Sequence, residues 1–571
     1  MCRDRNSMES YKERPLSIYI HVPFCARKCA YCDFLSHVPE PDEAAAYFES
    51  LLEEIRSWSE LLGKRRIRSI FFGGGTPSFV QGEYIAACLE EISKRSGRAF
   101  TAASGDISST EHDIESVHSI EKSEHDIKSG HGIENSEHSI ESEHDIKSGH
   151  GIENSEHSIE SEQDIKSGHS IENSEHDIEG KHEADLIPEI TLEANPGTFG
   201  EEKLRLWRQA GINRLSIGLQ SADDEELARL GRIHSWKMFE ENYLLARSCG
   251  FDNINIDLMS ALPGQTTESW RRTLEKVLAL RPEHISAYSL IIEEGTPFYE
   301  LYGDSKTAAG PSALSGSAAG SSLSANIAAE SSASAGIAVH DDGASVVSPA
   351  PLPSEEDERQ MYHFTKMILK QHGYERYEIS NYSLPGYECR HNIVYWTGGD
   401  YLGIGLGASS YIEGRRFRAP ENMDEYRRYA VSEKVLDRYE KQSKNEEMEE
   451  FMFLGLRMME GVSAEDFNRR FSSYEKGGAD QNVKDYQTEP VRGTALSEND
   501  GADQNVKDYQ TEPVGGTAPG ENVGCDLFSK LYGDVVERYI SMGLLQKAGG
   551  RISFTDEGID VSNRVLADFM L

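Results

Sequence analysis

The sequence predicts an α/β fold in which helices cover a mainly parallel β-sheet. Short runs of apolar and β-branched residues recur along the chain, and most are followed by apolar residues at helical spacing. Several runs also end in glycines or in a polar side chain. Buried parallel strands read as near-continuous apolar runs, and such sheets place their sites at the strand ends. We therefore expect six βα-type units.

The individual elements follow from hydrophobic periodicity. Strands are predicted at residues 16–20, 67–72, 189–196, 213–221, 253–259 and 284–290. Helices are predicted at residues 43–62 and 82–94, through Leu204 and Trp207, before Cys249, and at residues 268–280. Three glycines at 73–75 follow the second strand directly, and Glu193 and Gln220 lie at the ends of the next two. Glycines at a strand end let the backbone approach a ligand closely.

Beyond the sixth unit, the pattern predicts an extension of the sheet and then a small separate domain. A helix to residue 371 and a glycine-rich strand at 401–408 belong to the extension. A helix at 446–459, a strand pair within 544–554 and a final helix predict a winged-helix-like domain. The expected domains are 15–302, 354–440 and 441–571.

Three stretches of biased composition interrupt this organisation. Residues 104–181 contain 19-residue repeats rich in Ser, Glu and His, residues 303–353 are rich in Ala, Ser and Gly, and residues 476–523 repeat a polar segment. The first holds most of the histidines, which suggests metal binding as an alternative. Its isolated isoleucines bury too little surface to offset ordering entropy, so we expect disordered insertions.

Composition narrows the class of protein. The hydrophobic fraction of 37% is low for a 571-residue folded chain, in agreement with three insertions. The net charge of −40 argues against nucleic acid as a partner, although residues 111–185 alone hold 22 Asp and Glu against 5 Lys. Eight cysteines without a disulfide pattern, and no signal peptide or long apolar run, predict a cytoplasmic protein.

Three of those cysteines, Cys25, Cys29 and Cys32, lie after the first strand and together span eight residues. Clustered thiolates are soft ligands for zinc or for an iron-sulfur cluster, and a cubane with three protein ligands leaves one iron open. Zinc would need a fourth ligand, for which His21 or His37 is available, but zinc sites usually present two paired ligand sets. A disulfide is the remaining alternative.

The spacing C-x3-C-x2-C, with Gly73-Gly74-Gly75-Thr76-Pro77 one βα unit later, resembles the radical S-adenosylmethionine superfamily. The resemblance implies a partial (β/α)6 barrel and a 4Fe-4S cluster, held by these cysteines, whose open iron binds S-adenosylmethionine. It further implies that S-adenosylmethionine is contacted by Tyr19, Gly74, Gly75, Thr76, Glu193, Gln220, Arg232 and Asp257. Asp257 and Glu193 on nearly buried strands need a partner or ligand, whereas Arg232 could be an ordinary surface charge.

Further motifs resemble the oxygen-independent coproporphyrinogen III oxidase family. They are residues 21–25 (HVPFC), 31–34 (YCDF), 255–258 (NIDL) and 262–266 (LPGQT). Oxidases of this family have Gly and Cys after the third cysteine, whereas Asp33 and Phe34 here resemble its heme-chaperone branch. In relatives a histidine often follows the Gly-Ala of the glycine-rich strand, but this chain has Ser409 after Ala408.

Residues 391–396 fit the motif H-N-x-x-Y-W that this branch associates with heme binding. A neutral imidazole is a good axial ligand for heme iron, and aromatic faces pack against a porphyrin. The resemblance therefore implies heme binding by His391, Tyr395 and Trp396. Two alternatives remain: a hydrogen-bonded His391 with both aromatic residues in the core, or Cys389 as a thiolate ligand.

The resemblance implies a heme chaperone that carries a 4Fe-4S cluster and S-adenosylmethionine, and that passes heme to recipient hemoproteins. Membrane-associated respiratory enzymes are implied as recipients, a homodimer is compatible with it, and nucleic acid is not expected. The main alternative is an oxidase that decarboxylates coproporphyrinogen III through a 5′-deoxyadenosyl radical. A zinc-stabilised regulatory protein with a winged helix is disfavoured by the acidic charge and by the complete barrel motifs.

Overall fold

The computed structural model describes residues 14–100, 187–307, 349–471 and 526–571. The insertions predicted at 104–181 and 476–523 lie outside the described residues, as does most of the one predicted at 303–353. The described residues contain all the strands, glycines and cysteines on which the predicted site depends.

Six parallel strands, β1 to β6, form the centre of the fold and lie side by side in chain order. They are β1 Leu16–Val22, β2 Ile67–Gly74, β3 Glu189–Ala194, β4 Arg214–Gln220, β5 Ile254–Ser260 and β6 His284–Ser289. All six predicted strands are therefore present, and the predicted partial α/β barrel is confirmed.

The two faces of this sheet differ in chemistry. Ile18, Ile70 and Ile256 belong to the outer face, are fully buried, and join the main hydrophobic core. The residues that alternate with them on the inner face are largely polar, such as Ser69 and Asp257. Side chains alternate between the two faces with a period of two. The strands are therefore not the near-continuous apolar runs that the sequence predicts. The polar face makes the barrel interior suitable for a polar ligand.

Helices connect the strands and cover the outer face. They are α1 Glu43–Ser57, α2 Ser59–Lys64, α3 Gly82–Ser96, α4 Glu201–Ala210, α5 Asp224–Arg229, α6 Trp236–Ser248, α7 Thr267–Leu280 and α8 Pro297–Thr307. The single helix expected over residues 43–62 is interrupted at Trp58, which ends α1 and precedes α2. Aromatic anchors such as Trp207 and Trp270 hold the helices against the strands.

Five further strands extend the sheet at its two edges. They are β7 Glu375–Arg376, β8 Asn381–Ser383, β9 Asp400–Ile404, β10 Ser409–Ile412 and β11 Arg415–Arg418. Strand β9 pairs in parallel with β1, and β10 and β11 continue antiparallel beyond it, whereas β8 and β7 extend the β6 edge. The sheet order ends at β11 and β7, so the barrel is open.

The glycine-rich strand expected at residues 401–408 is shorter than predicted. Strand β9 ends at Ile404, and the chain reverses into β10 through Gly405 and Gly407, whose φ angles are 109° and 65°. Only glycine adopts such angles readily, which explains the composition of this turn. Helices α9 Glu355–Gln371, α10 Arg390–Trp396 and α11 Met423–Ala430 complete the region, followed by a 3₁₀ helix at Leu436–Arg438.

The C-terminal domain has its own core and a three-stranded antiparallel sheet of order β12-β14-β13. The strands are β12 Val462–Ser463, β13 Leu545–Ala548 and β14 Arg551–Phe554. The helices are α12 Lys444–Gly455, α13 Ala464–Phe471, α14 Leu527–Ser541, α15 Asp556–Asp560 and α16 Ser562–Ala567. This arrangement agrees with the predicted winged-helix-like domain. None of the helices described for the chain is long and apolar enough to cross a membrane.

A buried ion pair joins the start of β9 to the segment before β2. Arg65 and Asp400 are 3% and 2% exposed, and their side chains form a short charged hydrogen bond. Asp400 Oδ1 also accepts a hydrogen bond from the backbone of Glu413 at 3.2 Å. Removing one charge from a buried pair leaves the other without compensation.

We expect Asp400→Asn to lower the free energy of unfolding by about 3 kcal/mol, because the buried Arg65 would keep only the more distant and partly exposed Glu413, at 3.6 Å, as an ion-pair partner. Chemical denaturation monitored by circular dichroism measures the change. Asp424→Asn, which removes an exposed pair with Arg427, is the matched control and should change stability by less than about 0.5 kcal/mol. Equal effects of the two substitutions would contradict the expectation.

Candidate functional site

The cysteine loop leaves the carboxyl end of β1 and folds back on itself. The backbone N–H of Cys25 donates to the carbonyl of His37 at 2.9 Å, and the N–H of His37 donates to that of Pro23 at 2.9 Å. Cys25 is buried, whereas Cys29 and Cys32 are partly exposed. The loop therefore presents its three thiols at the strand end, where the sequence predicts a site.

The three thiols lie close enough to influence one another. Burial, together with the neighbouring thiols of Cys29 and Cys25, raises the pKa of Cys32 to about 11. Three thiolates within electrostatic reach of one another favour a compensating positive charge, which a metal centre supplies. The donor set therefore fits a metal cluster held by Cys25, Cys29 and Cys32.

A mononuclear zinc site is not formed by these residues. The ring of His21 is engaged at both nitrogens, by the hydroxyl of Tyr19 at 3.1 Å and the carbonyl of Leu35 at 2.9 Å. His37 is paired through Nε2 with Glu43 at 2.9 Å. Within the described ranges, no three His, Cys, Asp or Glu side chains converge closely enough to hold a single ion. A multi-iron cluster spaces its ligands more widely, and it fits this loop better.

The glycine segment after β2 packs directly beneath the cysteine loop. A Cβ atom at Gly74 would lie 2.5 Å from the ring of His21, and one at Gly75 would lie 2.7 Å from the carbonyl oxygen of Phe24. Gly74 also has a φ angle of 112°. Next to it, the Thr76 hydroxyl donates to Cys25 Sγ at 3.4 Å. Close approach to the loop, as well as to a ligand, explains why glycine is needed here.

Two carboxyl groups face the barrel interior near this segment. Burial, and then the negative charge of Asp257, raise the pKa of Glu193 to about 8. Burial also raises the pKa of Asp257, whose oxygens accept hydrogen bonds from Asn255 at 2.8 Å and Ser216 at 3.0 Å. Both carboxyl groups feel the charge of the buried Arg214, but the pKa of each remains raised, so the pair favours a further positive charge from a ligand. The ammonium and sulfonium groups of S-adenosylmethionine meet that requirement.

Arg232 lies beside the cysteine loop and is not an ordinary surface charge. Its Nη2 donates to the side chain of Asn195 and to the carbonyl of Gly218, both at 2.6 Å, and its Nη1 lies 3.6 Å from Cys29 Sγ. Its buried Nε has no hydrogen-bond partner among the described residues. An unpartnered buried donor beside a thiol is suited to an anionic ligand or cluster.

Other predicted contact residues also face this site. Tyr19 donates toward His21, and burial, followed by electrostatic repulsion from Glu193, raises the pKa of Tyr19. Gln220, at the end of β4, has a φ angle of 72° and accepts a hydrogen bond from Tyr288 at 3.1 Å. A positive φ in a non-glycine residue is uncommon, and it is found at helix caps and turns as well as at binding sites. The structure therefore brings together the residues that the resemblance implies as S-adenosylmethionine contacts.

Asn195 is a residue of this site that the sequence did not single out. Its amide donates to Thr76 at 2.9 Å while its carbonyl oxygen accepts from Arg232, so it connects the glycine segment to the arginine. The sequence feature that could have identified Asn195 is its position two residues after Glu193, at the end of a strand.

The H-N-x-x-Y-W motif lies on α10, where His391 is 1% exposed. Its Nδ1 is 2.9 Å from the Ser69 hydroxyl and its Nε2 is 2.9 Å from the Tyr395 hydroxyl. The ring also stacks on Phe71, with centroids 5.0 Å apart. Burial lowers the pKa of His391 to about 3. The imidazole is therefore neutral at pH 7, but both of its ring nitrogens are already hydrogen-bonded within the protein.

The two other candidates for heme contact have different surroundings. Trp396 packs under the guanidinium of Arg457, 4.7 Å from the ring centroid, and so contacts the C-terminal domain. The thiol of Cys389 is buried 3.6 Å from Glu189, and burial raises its pKa to about 12. A protonated buried thiol is a poor iron ligand, so this arrangement favours His391 over Cys389.

Helix α10 lies toward the opposite end of the strands from the cysteine loop. Glu189, the first residue of β3, accepts hydrogen bonds from the backbone N–H groups of Arg390 and His391, both at 3.2 Å. Ser69 is five residues before Gly74 on β2, which corresponds to roughly 16 Å along a strand. The cysteine loop and the motif therefore form two adjoining candidate sites, between which Tyr19 lies with its ring centroid 6.4 Å from that of His391.

Comparisons with known proteins agree with this geometry. The model of the radical SAM superfamily matches residues 19–127 and 167–277, and the model of the HemN C-terminal domain matches residues 442–490. The chain is 26% identical over 559 residues to the heme chaperone HemW of Lactococcus lactis, covering 98% of each chain. It is 27% identical to the Bacillus subtilis HemW, with 80% of this chain and 86% of that one covered.

Among solved structures, coproporphyrinogen III oxidase (HemN) from Escherichia coli has a similar fold, with a TM-score of 0.59 and 16% identity. The match covers 99% of this chain and 92% of that one. At this identity the likeness concerns the fold alone. Together with the cysteine loop, the glycine segment and the open barrel, these matches show that the chain belongs to the HemN-like family of the radical SAM superfamily, among its HemW members.

Proposed function

We propose that this protein is a heme chaperone that binds heme and delivers it to hemoproteins, and that it carries a 4Fe-4S cluster and S-adenosylmethionine. The observation that carries the proposal is its similarity, over nearly its whole length, to a protein named heme chaperone HemW. Asp33 and Phe34, which take the place of the Gly and Cys of oxidases, support the same assignment.

We assign the cluster to Cys25, Cys29 and Cys32 at the end of β1. The cluster would supply a redox-active iron with an open coordination position. Arg232, beside Cys29, would offset the negative charge of the thiolates. Glu193 would hold a cationic group of S-adenosylmethionine, while its Oε2 accepts the Gly74 N–H at 3.2 Å.

Asp257 would hold a second polar group of that molecule, since its carboxylate is fixed from behind by Asn255 and Ser216. Tyr19, Gln220 and the backbone at Gly75 and Thr76 would complete the pocket. Their assignment rests on the matching motifs and on their common position around the barrel interior.

We assign heme binding to the α10 motif, with His391 Nε2 as the axial ligand. The Ser69 hydroxyl donates to Ser17 at 2.8 Å, so it accepts from His391 and fixes the proton on Nδ1. The lone pair of Nε2 then points at the hydroxyl of Tyr395, which donates to it. Iron can take this position only if the Tyr395 hydroxyl moves away. Tyr395 and Trp396 would then supply aromatic contact with the porphyrin.

The pH dependence of heme binding follows from this environment. An exposed histidine would lose its ligand nitrogen to protonation near pH 6.5. Because burial lowers the pKa of His391 to about 3, protonation of the apo site should not compete with heme between pH 5 and 8.

We expect Tyr395→Phe to bind heme about three- to tenfold more tightly than the wild type, because the variant keeps the ring and removes the hydrogen bond that occupies Nε2. Soret titration measures the affinity. Tyr401→Phe removes the hydroxyl of the tyrosine ring packed against Tyr395, without freeing the histidine, and should be unchanged. His391→Ala should weaken binding and shift the Soret band. Equal affinity in all four proteins would rule out His391 as the ligand.

The proposed partners are recipient hemoproteins, including membrane-associated respiratory enzymes, and we propose a cytoplasmic homodimer.

The proposed domain division remains 15–302, 354–440 and 441–571, with insertions at 104–181, 303–353 and 476–523. Light scattering of the purified protein measures the oligomeric state, and limited proteolysis tests the division.

One anaerobic experiment tests the central proposal. The reconstituted protein is incubated either with heme and an apo-hemoprotein, or with coproporphyrinogen III and S-adenosylmethionine under reducing conditions. We expect heme transfer to the apo-hemoprotein and no decarboxylated porphyrinogen. Decarboxylation of coproporphyrinogen III without heme transfer would instead identify an oxidase.

A further inference from the structure

A continuous chain of hydrogen bonds joins the two candidate sites through the barrel. It begins at Asp257, whose Oδ1 accepts from Asn255 at 2.8 Å, and continues from the Asn255 carbonyl oxygen to His284 Nδ1 at 2.6 Å. His284 Nε2 is 2.9 Å from the Tyr377 hydroxyl, which accepts from the backbone N–H of Cys389 at 3.3 Å. Cys389 is the residue at which α10 starts.

The direction of every bond in this chain is determined. The Asn255 amide nitrogen donates to Asp257 and to Ser216, so its carbonyl oxygen faces His284 as an acceptor. His284 Nδ1 must therefore carry the ring proton. Since the ring is fully buried and its pKa lies well below the usual value, Nε2 is unprotonated and accepts from Tyr377.

Neighbouring groups support this arrangement without taking part in the chain. Ser286 donates to the Asn255 carbonyl oxygen at 3.1 Å, which gives that oxygen a second donor. Burial, and then the guanidinium of Arg214, disfavour a positive charge on His284, whereas the same guanidinium stabilises the negative charge of Asp257. A single arrangement of donors and acceptors therefore satisfies the whole chain, and reversing any one ring or amide would break it.

We propose that His284 and Tyr377 are positioning residues that fix the Asp257 carboxylate of the cofactor site and the first turn of α10 together. The proposal rests on the proposed function, in which Asp257 contacts S-adenosylmethionine and α10 carries the heme motif. Neither residue is among the cofactor contacts that the resemblance implies, so both would act through Asp257. Occupancy of the cofactor site is thereby coupled to the order of the heme motif, because both ends of the chain depend on the same rings.

Tyr377→Phe tests this coupling, because it removes one hydroxyl and keeps the ring that packs edge-on against His284. Tyr374→Phe is the matched control: it removes a hydroxyl that donates to the backbone of Pro282, outside the chain. Both variants are prepared as full chains with their cluster, and melting temperature and cluster content are measured first. Binding of S-adenosylmethionine is then measured by titration calorimetry and by the electron paramagnetic resonance signal of the reduced cluster.

We expect Tyr377→Phe to bind S-adenosylmethionine about three- to tenfold more weakly, which corresponds to the loss of one hydrogen bond, and Tyr374→Phe to stay within twofold of the wild type. Amide hydrogen exchange at residues 389–393 should slow when S-adenosylmethionine is added to the wild type or to Tyr374→Phe, but not in Tyr377→Phe. Equal affinities in the two variants, or equal protection of α10 by the cofactor, would overturn the proposal.

The exchange measurement also separates this proposal from the proposed function. If the wild type does not bind S-adenosylmethionine, the proposed function fails in that respect. The positioning role is then tested by comparing amide exchange in Tyr377→Phe and Tyr374→Phe without cofactor. Faster exchange at 389–393 in Tyr377→Phe than in Tyr374→Phe, with an Nδ1-protonated His284 in ¹⁵N spectra of the wild type, would support it. Equal exchange in the two variants would reject it.

Discussion

Replacement of Cys25, Cys29 or Cys32 by alanine is expected to abolish the broad visible absorption of the cluster after anaerobic reconstitution with iron and sulfide. Three protein thiolates are the only protein ligands that this loop offers, so none can be lost without opening a second iron to solvent. Iron and sulfide content per chain, together with the absorption spectrum, measures the effect. We expect at least a tenfold loss of cluster in each variant.

The other cysteines supply the controls. Cys249→Ala and Cys389→Ala remove a partly exposed and a buried thiol outside the loop, and both should keep a full cluster. Retention of the cluster in all three loop variants, with loss in Cys389→Ala, would place the metal at α10 instead. Circular dichroism of each variant shows whether the fold is intact.

Glu193→Gln is expected to stabilise the apo protein at pH 8 while weakening its binding of S-adenosylmethionine about tenfold or more. In the folded chain the pKa of Glu193 is about 8, whereas in the unfolded chain it is about 4.5. The folded state therefore binds the proton more tightly, and ionisation of Glu193 opposes folding. This cost is absent below pH 4.5, grows as the pH rises toward 8, and is constant above that.

Glutamine removes this cost because it cannot ionise, and its side-chain oxygen can still accept the Gly74 N–H. We expect the free energy of unfolding to rise by about 2 kcal/mol at pH 8. The full pKa shift would imply a larger rise, at about 1.4 kcal/mol per pKa unit, but Glu193 keeps some contact with solvent. Denaturation at pH 5 and pH 8 measures it, and the gain should be much smaller at pH 5. Glu201→Gln, at an exposed pair with Arg205, is the control. A gain of equal size at both pH values would contradict the assignment.

The sequence was sufficient for the strands and for the cofactor end of the barrel, because both are encoded locally. The six strands follow from segments of five to nine residues rich in apolar side chains, and the cysteines and glycines act through short spacings. Those residues then meet because carboxyl ends of parallel strands share one edge. Arg232 was implied only by the resemblance, since a lone arginine carries no such local signal, and the structure shows it beside Cys29.

Long-range partners could not be predicted in the same way. His391 is bonded to Ser69, 322 positions earlier, and no periodicity links these two residues. Tyr377 and His284 are 93 positions apart, so the hydrogen-bond chain between the two sites could not be recognised in the sequence. The turn after β9 was assigned to a strand because its apolar residues alternate with glycines, and only the backbone angles distinguish the two conformations.

The parallel pairing of β1 with β9 has a consequence for biosynthesis. Strand β1 carries the cysteine loop, yet one of its two neighbours begins only at Asp400. At about 5–20 residues per second, a ribosome needs roughly 20–80 s to translate the intervening chain. During that interval β1 has an unpaired edge and nascent thiols on the adjoining loop are exposed to oxidation. The cysteine loop is anchored on a strand with both neighbours only after β9 has been synthesised. We therefore expect the iron-sulfur cluster to be inserted late, largely after translation.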